Sequence, residues 1–450
     1  MSKDLRKFVC MNQSTYDFIL AHRHADVRQL ALQSGRFPDV DMPFALQQIS
    51  GWQTARHKIP TWAATDGIVY PPHLNMEQCS SEQTSMYKAR IVRRLLTENS
   101  RQNIQESISN GYGKEAKNSC GNTEGCRSSG CFRSLIDLTG GLGIDFFFMS
   151  KEVDKAVYVE QSETLCATAK HNFKALGVTN ATVIHGDGTE ILRQSAYVSV
   201  CFVDPARRNE QGGRTYAIED CTPDVLKLRH EMTEKAAFTI LKLSPMLDWH
   251  RAVEQLETVR EVHILSMKNE CKELLLVLSE DCGRPLVVHC VNDDKVFSYH
   301  PMEDEAENHI QKTLYEEVTE WCLDAFDLPL TLYEPNSSIM KAGCFKAVGR
   351  KFGLQQVADN SHLFLSHKEI SDFPGRTFRI SAVSTMNKKQ LRQALQGIRK
   401  ANVAVRNFPM TVAELRRKLN ISEGGDTYIF ATTTEDGRHL LFIGTKTDGG

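Results

Sequence analysis

Near the start of the chain the apolar positions fall at helical spacings. Tyr16 to Leu32 mixes gaps of three and four, and Phe44-Ala45-Leu46 with Ile49 begins another such run, so residues 1–75 read as helical. Ser80 and Gln83 stand three apart as a capping box, after which Tyr87, Ile91 and Leu95 share one helical face. The pattern then disappears. Between 99 and 133 the chain is rich in Asn, Ser, Gly, Lys and Gln without apolar periodicity, the composition of a flexible insertion.

Short apolar runs follow at a regular pitch. Ser134–Leu138, Ala156–Glu160, Ala181–His185, Val198–Asp204 and Ala237–Leu243 read as strands, separated by helical stretches at Ser162–Leu176, Gly188–Gln194 and Pro223–Thr233. This alternation predicts an α/β fold with a parallel sheet covered on both faces. Glu261–Ser266 and Glu273–Leu278 are joined too tightly for parallel strands, so they form an antiparallel hairpin. Beyond it come a strand at Pro285–Asn292 and a helix at Asn308–Ala325. Helices at Met340–Phe352, Lys388–Ala401 and Thr411–Leu419 then alternate with strands at Leu363–Ser366, Thr377–Val383, Thr427–Thr433 and His439–Ile443. The expected division is 1–75 helical, 76–280 α/β with the 99–133 insertion, 281–325 a small α+β segment, and 326–450 a basic α+β domain.

Composition narrows the class. With 41% hydrophobic and 24% charged residues, the 450-residue chain is an ordinary globular one with material for several domains. No run reaches the roughly 18 apolar residues of a membrane helix, and no long apolar stretch follows the charged Met1–Cys10 start. The 13 cysteines are scattered, many within apolar stretches, which suits reduced thiols in the cytoplasm. Cys120, Cys126 and Cys131 match no zinc spacing, so no metal is expected. The net charge of −2 conceals an asymmetry: Thr331 to Gly450 holds 18 basic and 10 acidic residues, and Arg376 to Lys418 holds 11 basic residues with the single acid Glu414. That segment is either a solvated basic face or a surface for a polyanion.

The candidate chemistry lies at the strand ends. Asp137-Leu-Thr-Gly-Gly-Leu-Gly-Ile-Asp145 closes the first strand, and Gly140, Gly141 and Gly143 allow a tight turn on which a nucleotide can lie. The dinucleotide pattern G-x-G-x-x-G fails, because Phe146 stands where the third glycine belongs. Asp137 suits a cationic sulfonium and ammonium better than a pyrophosphate, which points to S-adenosylmethionine. Glu160, ending the second strand, suits ribose hydroxyls, and Asp187, after the third, suits an adenine amino group. Any one of these acids also reads as a helix cap; three in register favour the cofactor.

Residues 134–280 resemble the class I methyltransferase fold, with its Rossmann-like seven-stranded sheet and terminal antiparallel hairpin. The wider chain resembles a bacterial family that joins this fold to a small ferredoxin-like segment and a C-terminal THUMP-like domain. The motifs that carry the resemblance are Gln78-Cys-Ser-Ser-Glu82 with Thr84 and Tyr87-Lys88, Asp204-Pro-Ala-Arg-Arg208, Met340-Lys-Ala-Gly343, Phe373-Pro-Gly-Arg376 and Arg406-Asn-Phe-Pro409. Together they span nearly the whole chain except 99–133. The resemblance implies a cofactor site of Gln78, Ser80, Ser81, Asp137, Thr139, Gly140, Gly141, Gly143, Asp145, Glu160, Gln161, Asp187 and Gly188. It also implies RNA, such as tRNA or rRNA, as partner, with Arg207, Arg208, Arg376 and Arg406 as substrate anchors.

Asp204, Pro205 and Arg207 follow the fourth strand, where such enzymes place their reaction centre. Related motifs carry an aromatic residue or arginine at the last of these places. The aromatic versions methylate amines with the ring stacked on the base; the arginine versions methylate pyrimidine carbon through a cysteine nucleophile after the fifth strand. Here that place reads Leu243-Ser-Pro-Met-Leu247, without a thiol, so direct transfer is expected with Asp204 accepting the proton or hydrogen bond of the nucleophile. Arg207 and Arg208 either anchor substrate or pair with Glu210, Glu219 or Asp220. Phe373, Phe378 and Phe408 are expected in the core rather than as stacking platforms. The alternatives are a small-molecule or protein methyltransferase and a non-catalytic RNA-binding factor.

Overall fold

The computed structural model describes residues 11–109, 133–207, 218–281, 283–301 and 330–447, with backbone alone at 100–109 and 207. The chain forms two compact units: Met1–Val259 with Leu276–Cys282, and Arg260–Leu275 with Gly283–Gly450.

The first unit opens with helices α1 (Gln13–His22), α2 (Val27–Leu32), α3 (Met42–Lys58), α4 (Pro60–Ala63), α5 (His73–Gln78) and α6 (Glu82–Ser109). Asn12, Asp26 and Asp41 cap the first three through their side chains. Helix α6 crosses the start of the expected insertion. Residues 99–109 lack Gly and Pro, and Ile104 and Ile108 stand four apart, so polar composition alone mistook a polar helix for a loop. The rest of the insertion lies outside the described residues, as does the expected helix at Asn308–Ala325.

Strands β1 (Ser134–Asp137), β2 (Lys155–Glu160), β3 (Ala181–His185) and β4 (Val198–Val203) alternate with helices α7 (Ile144–Ser150), α8 (Glu163–Ala175) and α9 (Gly188–Gln194). A two-residue pair, β5 (Ala206–Arg207) and β6 (Cys221–Thr222), precedes α10 (Val225–Lys235), β7 (Ala236–Leu243) and α11 (Trp249–Leu256). β1 pairs in parallel with β2 and β4, β2 with β3, and β4 with β7. The order is β3-β2-β1-β4-β7, and Leu276–Leu278 follow next to β7. All seven residues of α7 are buried, among them Phe146, Phe147 and Phe148. The N-terminal helices are tied to this sheet by fully buried Asn172 of α8, which donates to the Val69 carbonyl and accepts from the Val69 N–H, both at 2.9 Å.

In the second unit, β8 (Val259–Met267) and β9 (Glu270–Leu278) meet at Lys268 and Asn269, both left-handed at φ 51° and 61°. Two such residues make the tight turn of an antiparallel hairpin, as the spacing predicted. β10 (Val287–Asn292) runs parallel to β8, and β11 (Lys295–Tyr299) pairs antiparallel with β10.

The C-terminal sheet contains β12 (Leu330–Pro335), β13 (Gln355–Gln356), β14 (Phe364–Ser366), β15 (Gly375–Thr385), β16 (Asn402–Arg406), β17 (Thr427–Thr433) and β18 (His439–Lys446). Its order is β13-β14-β12-β15-β18-β17-β16. Helices α12 (Ser337–Ala342), α13 (Phe345–Phe352), α14 (Lys388–Ala394) and α15 (Val412–Leu419) accompany it. The helix expected at Met340–Phe352 is two helices, because Gly343 turns left-handed at φ 71° and ends the first. Phe373 and Phe378 are buried, and half-buried Phe408 packs on the core formed by Leu415, Ile429 and Leu441.

Asn172→Ala strands two buried backbone groups of Val69. It is expected to lower unfolding stability by about 2–4 kcal/mol. Urea titration followed by tryptophan fluorescence reads this, since Trp52, Trp62 and Trp249 all belong to the first unit.

Candidate active site

A cleft opens at the C-terminal ends of β1, β4 and β7. Asn75, Gln78, Cys79 and Ser80 line one side; Asp137, Thr139, the Gly140–Asp145 segment, Phe202, Asp204 and Lys242 complete it. The turn after β1 is shaped by its glycines. Gly143 sits at φ 83°, and a side chain at Gly140 would lie 2.2 Å from the Tyr158 ring. Thr139 joins two strand ends, its Oγ1 accepting from the Asp204 N–H at 2.6 Å while its own N–H donates to Asp137 Oδ1 at 2.9 Å.

Beneath the cleft lies a chain of alternating charges. Asp145 accepts from Ser85 Oγ at 2.6 Å and Ser80 Oγ at 2.7 Å, and faces Lys88 Nζ at 3.0 Å and Lys242 Nζ at 3.5 Å. Lys242 also donates to Ser80 Oγ at 3.0 Å and to Asp204 Oδ2 at 2.6 Å. Lys88 is fully buried and the Lys242 side chain is 12% exposed, whereas Asp204, at 40%, faces the opening.

The three acids differ in proton affinity. Burial pushes Asp137 well above the usual carboxylate range, helped by the charges of Asp145, Asp204 and Glu160 and opposed by the Thr139 N–H. Asp204 is raised by burial, with Lys242 offsetting only part. Burial also disfavours ionised Asp145, but Lys88 and Lys242, then the Ser85 and Ser80 hydroxyls, outweigh it and hold this carboxyl below its ordinary range.

The residues expected at the site divide into groups. Gln78, Ser80, Asp137, Thr139, Gly140, Gly141, Gly143, Asp145 and Asp204 line the cleft. Ser81 instead caps α6, accepting from the Thr84 N–H at 3.2 Å; it takes the capping place expected for Ser80, whose hydroxyl turns to Asp145. Glu160 stands at the end of β2 and accepts from Gly141 N at 2.9 Å and Ser162 N at 2.8 Å. Asp187 caps α9 and accepts from Gln161 Nε2 at 2.9 Å, while Gly188 is packed against the Leu138 carbonyl. Pro205 is buried beside Asp204. The Arg207 side chain and all of Arg208 lie outside the described residues, and Glu219 pairs with Arg251.

Arg376 and Arg406, expected as substrate anchors, are held by an acid of the chain itself. Both bind Glu334, which is almost fully buried: Arg376 Nε donates to Oε2 at 2.8 Å and Arg406 Nη2 to Oε1 at 2.9 Å. A buried carboxylate needs such partners, so this requirement takes both guanidiniums. Glu261, His263 and His289 are also grouped in the second unit, but the two imidazoles stack with planes 18° apart, so their ring lone pairs do not converge.

Lys242 and Lys88 were missed as site residues. Lys242 carried a signal, since it interrupts the apolar strand Phe-Thr-Ile-Leu-Lys-Leu; Lys88, on a helix with exposed Met86 and Arg90, carried none of that kind.

Family comparisons agree with this architecture. A ferredoxin-like domain model matches residues 332–374 and a THUMP domain-like model matches 375–446. The ferredoxin-like part therefore lies downstream of the expected 281–325, where β10 instead extends the β8 hairpin. A crystal structure of a putative methyltransferase from Porphyromonas gingivalis W83 aligns over 100% of both chains, at 26% identity and TM-score 0.76. A putative methyltransferase from Streptococcus mutans in complex with SAH aligns over 32% of this chain and 88% of its own, at 15% identity and TM-score 0.26. No curated protein matches. The chain thus combines a class I methyltransferase-like α/β fold with a ferredoxin-like and a THUMP-like domain. Among the described residues no helix is long and apolar enough to cross a membrane.

Asp145→Ala removes a carboxylate from two ammonium groups and is expected to destabilise the first unit by about 3–5 kcal/mol at neutral pH. Because the folded protein holds this carboxyl below its ordinary range, the contribution is present above about pH 4 and fades as pH falls further. The difference between wild-type and variant unfolding free energies should therefore shrink in acid.

Proposed function

We propose that this protein is an S-adenosylmethionine-dependent methyltransferase acting on RNA, with tRNA or rRNA as substrate, by direct transfer without a covalent intermediate. The observation that carries this reading is the cleft itself: bare glycine backbone beside two carboxylates, Asp137 and Asp204, at the ends of neighbouring parallel strands. Glycine backbone admits a nucleoside closely, and the carboxylate of Asp137 favours a cationic one over a pyrophosphate. When bound, the cofactor supplies an activated methyl group on a sulfonium. Asp137 would hold its cationic methionine end; Glu160 and Asp187, at the next two strand ends, would take ribose and adenine.

The chemistry of the cleft disfavours a cysteine nucleophile. Cys79 lines it, but burial pushes this thiol up to about 11, leaving almost no thiolate at neutral pH. Direct attack by the acceptor then needs only alignment and a proton acceptor, the role of Asp204. For RNA, support comes from the THUMP-like match and from exposed Lys388, Lys389, Arg392, Arg399, Lys400, Arg417 and Lys418, which offer phosphate contacts. Arg376 and Arg406, partly exposed beside Glu334, stand with them as proposed anchors.

Calorimetry is expected to show micromolar S-adenosylmethionine binding, at least about tenfold weaker in Asp137→Ala through loss of one buried charge contact. Because Asp137 ionises reluctantly and a cation favours its charged form, affinity should rise with pH, and Asp137→Asn should flatten that rise. Tritiated-methyl transfer to total RNA should fall at least about tenfold between roughly 50 and 200 mM salt. Transfer only to protein or small molecules, insensitive to salt, would overturn the RNA assignment; absence of binding by folded protein would leave an RNA-binding factor.

A further inference from the structure

We infer that the methyl acceptor is a hydroxyl oxygen, on RNA the ribose 2′-hydroxyl, held between the ammonium of Lys242 and the carboxylate of Asp204. This rests on reading the chain as an RNA methyltransferase and goes on to name the atom that is modified.

The geometry at the end of β7 carries the argument. Lys242 Nζ and Asp204 Oδ2 lie 2.6 Å apart, and both groups line the cleft. An acceptor there meets a donor and an acceptor side by side. A hydroxyl matches both, because it has one O–H to give and two lone pairs to share. Its hydrogen goes to Asp204, one lone pair takes an N–H of Lys242, and the other attacks the methyl carbon. An exocyclic amino group of a base presents N–H bonds to the ammonium, donor against donor. A ring nitrogen has one lone pair, which attack consumes.

Lys242 can make this contact without losing its position. Its ammonium lies 2.6 Å from Asp204 Oδ2, 3.0 Å from Ser80 Oγ and 3.5 Å from Asp145 Oδ2. The last is the longest, and the hydroxyl replaces it. Asp145 retains Lys88 at 3.0 Å and the hydroxyls of Ser80 and Ser85.

The step balances. The oxygen–carbon bond forms as the carbon–sulfur bond breaks, and that electron pair stays on sulfur as the neutral thioether. The hydroxyl proton passes to the Asp204 carboxylate and leaves to water through its 40% exposed side. Burial of Asp204 raises its proton affinity, which suits this role.

The test uses the full-length protein, total RNA and labelled methyl donor, with S-adenosylhomocysteine binding measured separately by calorimetry. Label in alkali-resistant dinucleotides is expected, since 2′-O-methylation blocks cleavage of the neighbouring phosphodiester. Label in a nucleobase, with cofactor-product binding intact, overturns the hydroxyl assignment alone. No label in RNA, again with binding intact, overturns the RNA reading and this proposal together. Lys242→Met and Asp204→Asn should each lower transfer at least about a hundredfold while S-adenosylhomocysteine affinity stays within about threefold, a difference under 1 kcal/mol. Lys242→Arg keeps the charge should Lys242→Met not fold, and is expected to retain part of the activity. If either folded Lys242 variant loses binding more than about tenfold, Lys242 is a cofactor ligand and the proposal falls.

Discussion

Everything around the cleft depends on how a charge is kept stable away from water. Asp145 would not remain ionised in a buried site by itself; two ammonium groups and two hydroxyls make it so. Asp145 and its partners come from three separate places: the segment around α6 supplies Ser80, Ser85 and Lys88, the helix after the glycine turn supplies Asp145 itself, and the end of β7 supplies Lys242. The charge is tolerated only where all three meet. The N-terminal helices are therefore a wall of the site as well as an addition to the sheet. The same constraint orders the reaction centre, since the ammonium that neutralises Asp145 also fixes one oxygen of Asp204.

Much of this was legible in the sequence because it is local. A strand closed by a glycine turn, acids at three successive strand ends and a hairpin with a two-residue turn each depend on residues within a few positions of one another. The charge chain was not legible, because its contacts join residues 38, 60 and 97 positions apart. Lys88 reads as one more surface lysine on a helix until the fold puts it at 0% exposure. Composition misled in the opposite sense at 99–109, where polar residues without helix breakers continue α6. It also missed β12 and β16, whose short mixed sequences gain their strand character from the neighbours they pair with.

In the second unit the basic excess proved to be two populations. Arg376 and Arg406 pair with Glu334, buried at the end of β12, while their own side chains stay partly exposed. Lys388, Lys389 and Arg392 on α14, Arg399 and Lys400 in the loop between α14 and β16, and Arg417 and Lys418 on α15 remain at the surface. Net charge along a sequence cannot distinguish the two; pairing with a buried acid can. Of the phenylalanines interleaved among these residues, Phe373 and Phe378 belong to the interior and Phe408 is half-buried against it.

The bond between Val69 and Asn172 spans 103 positions of the chain. During synthesis the backbone of Val69 emerges from the ribosome long before its partner exists. At translation speeds of roughly 5–20 residues per second, that interval lasts about 5 to 20 seconds. For that time the early helices can pack on one another through Phe18, Leu30, Met42 and Ile49, but the backbone of Val69 lacks the side chain that ties them to the sheet. The emergence of α8 thus sets the clock for docking of these helices on the sheet, and a pause in translation upstream of Asn172 would prolong the wait.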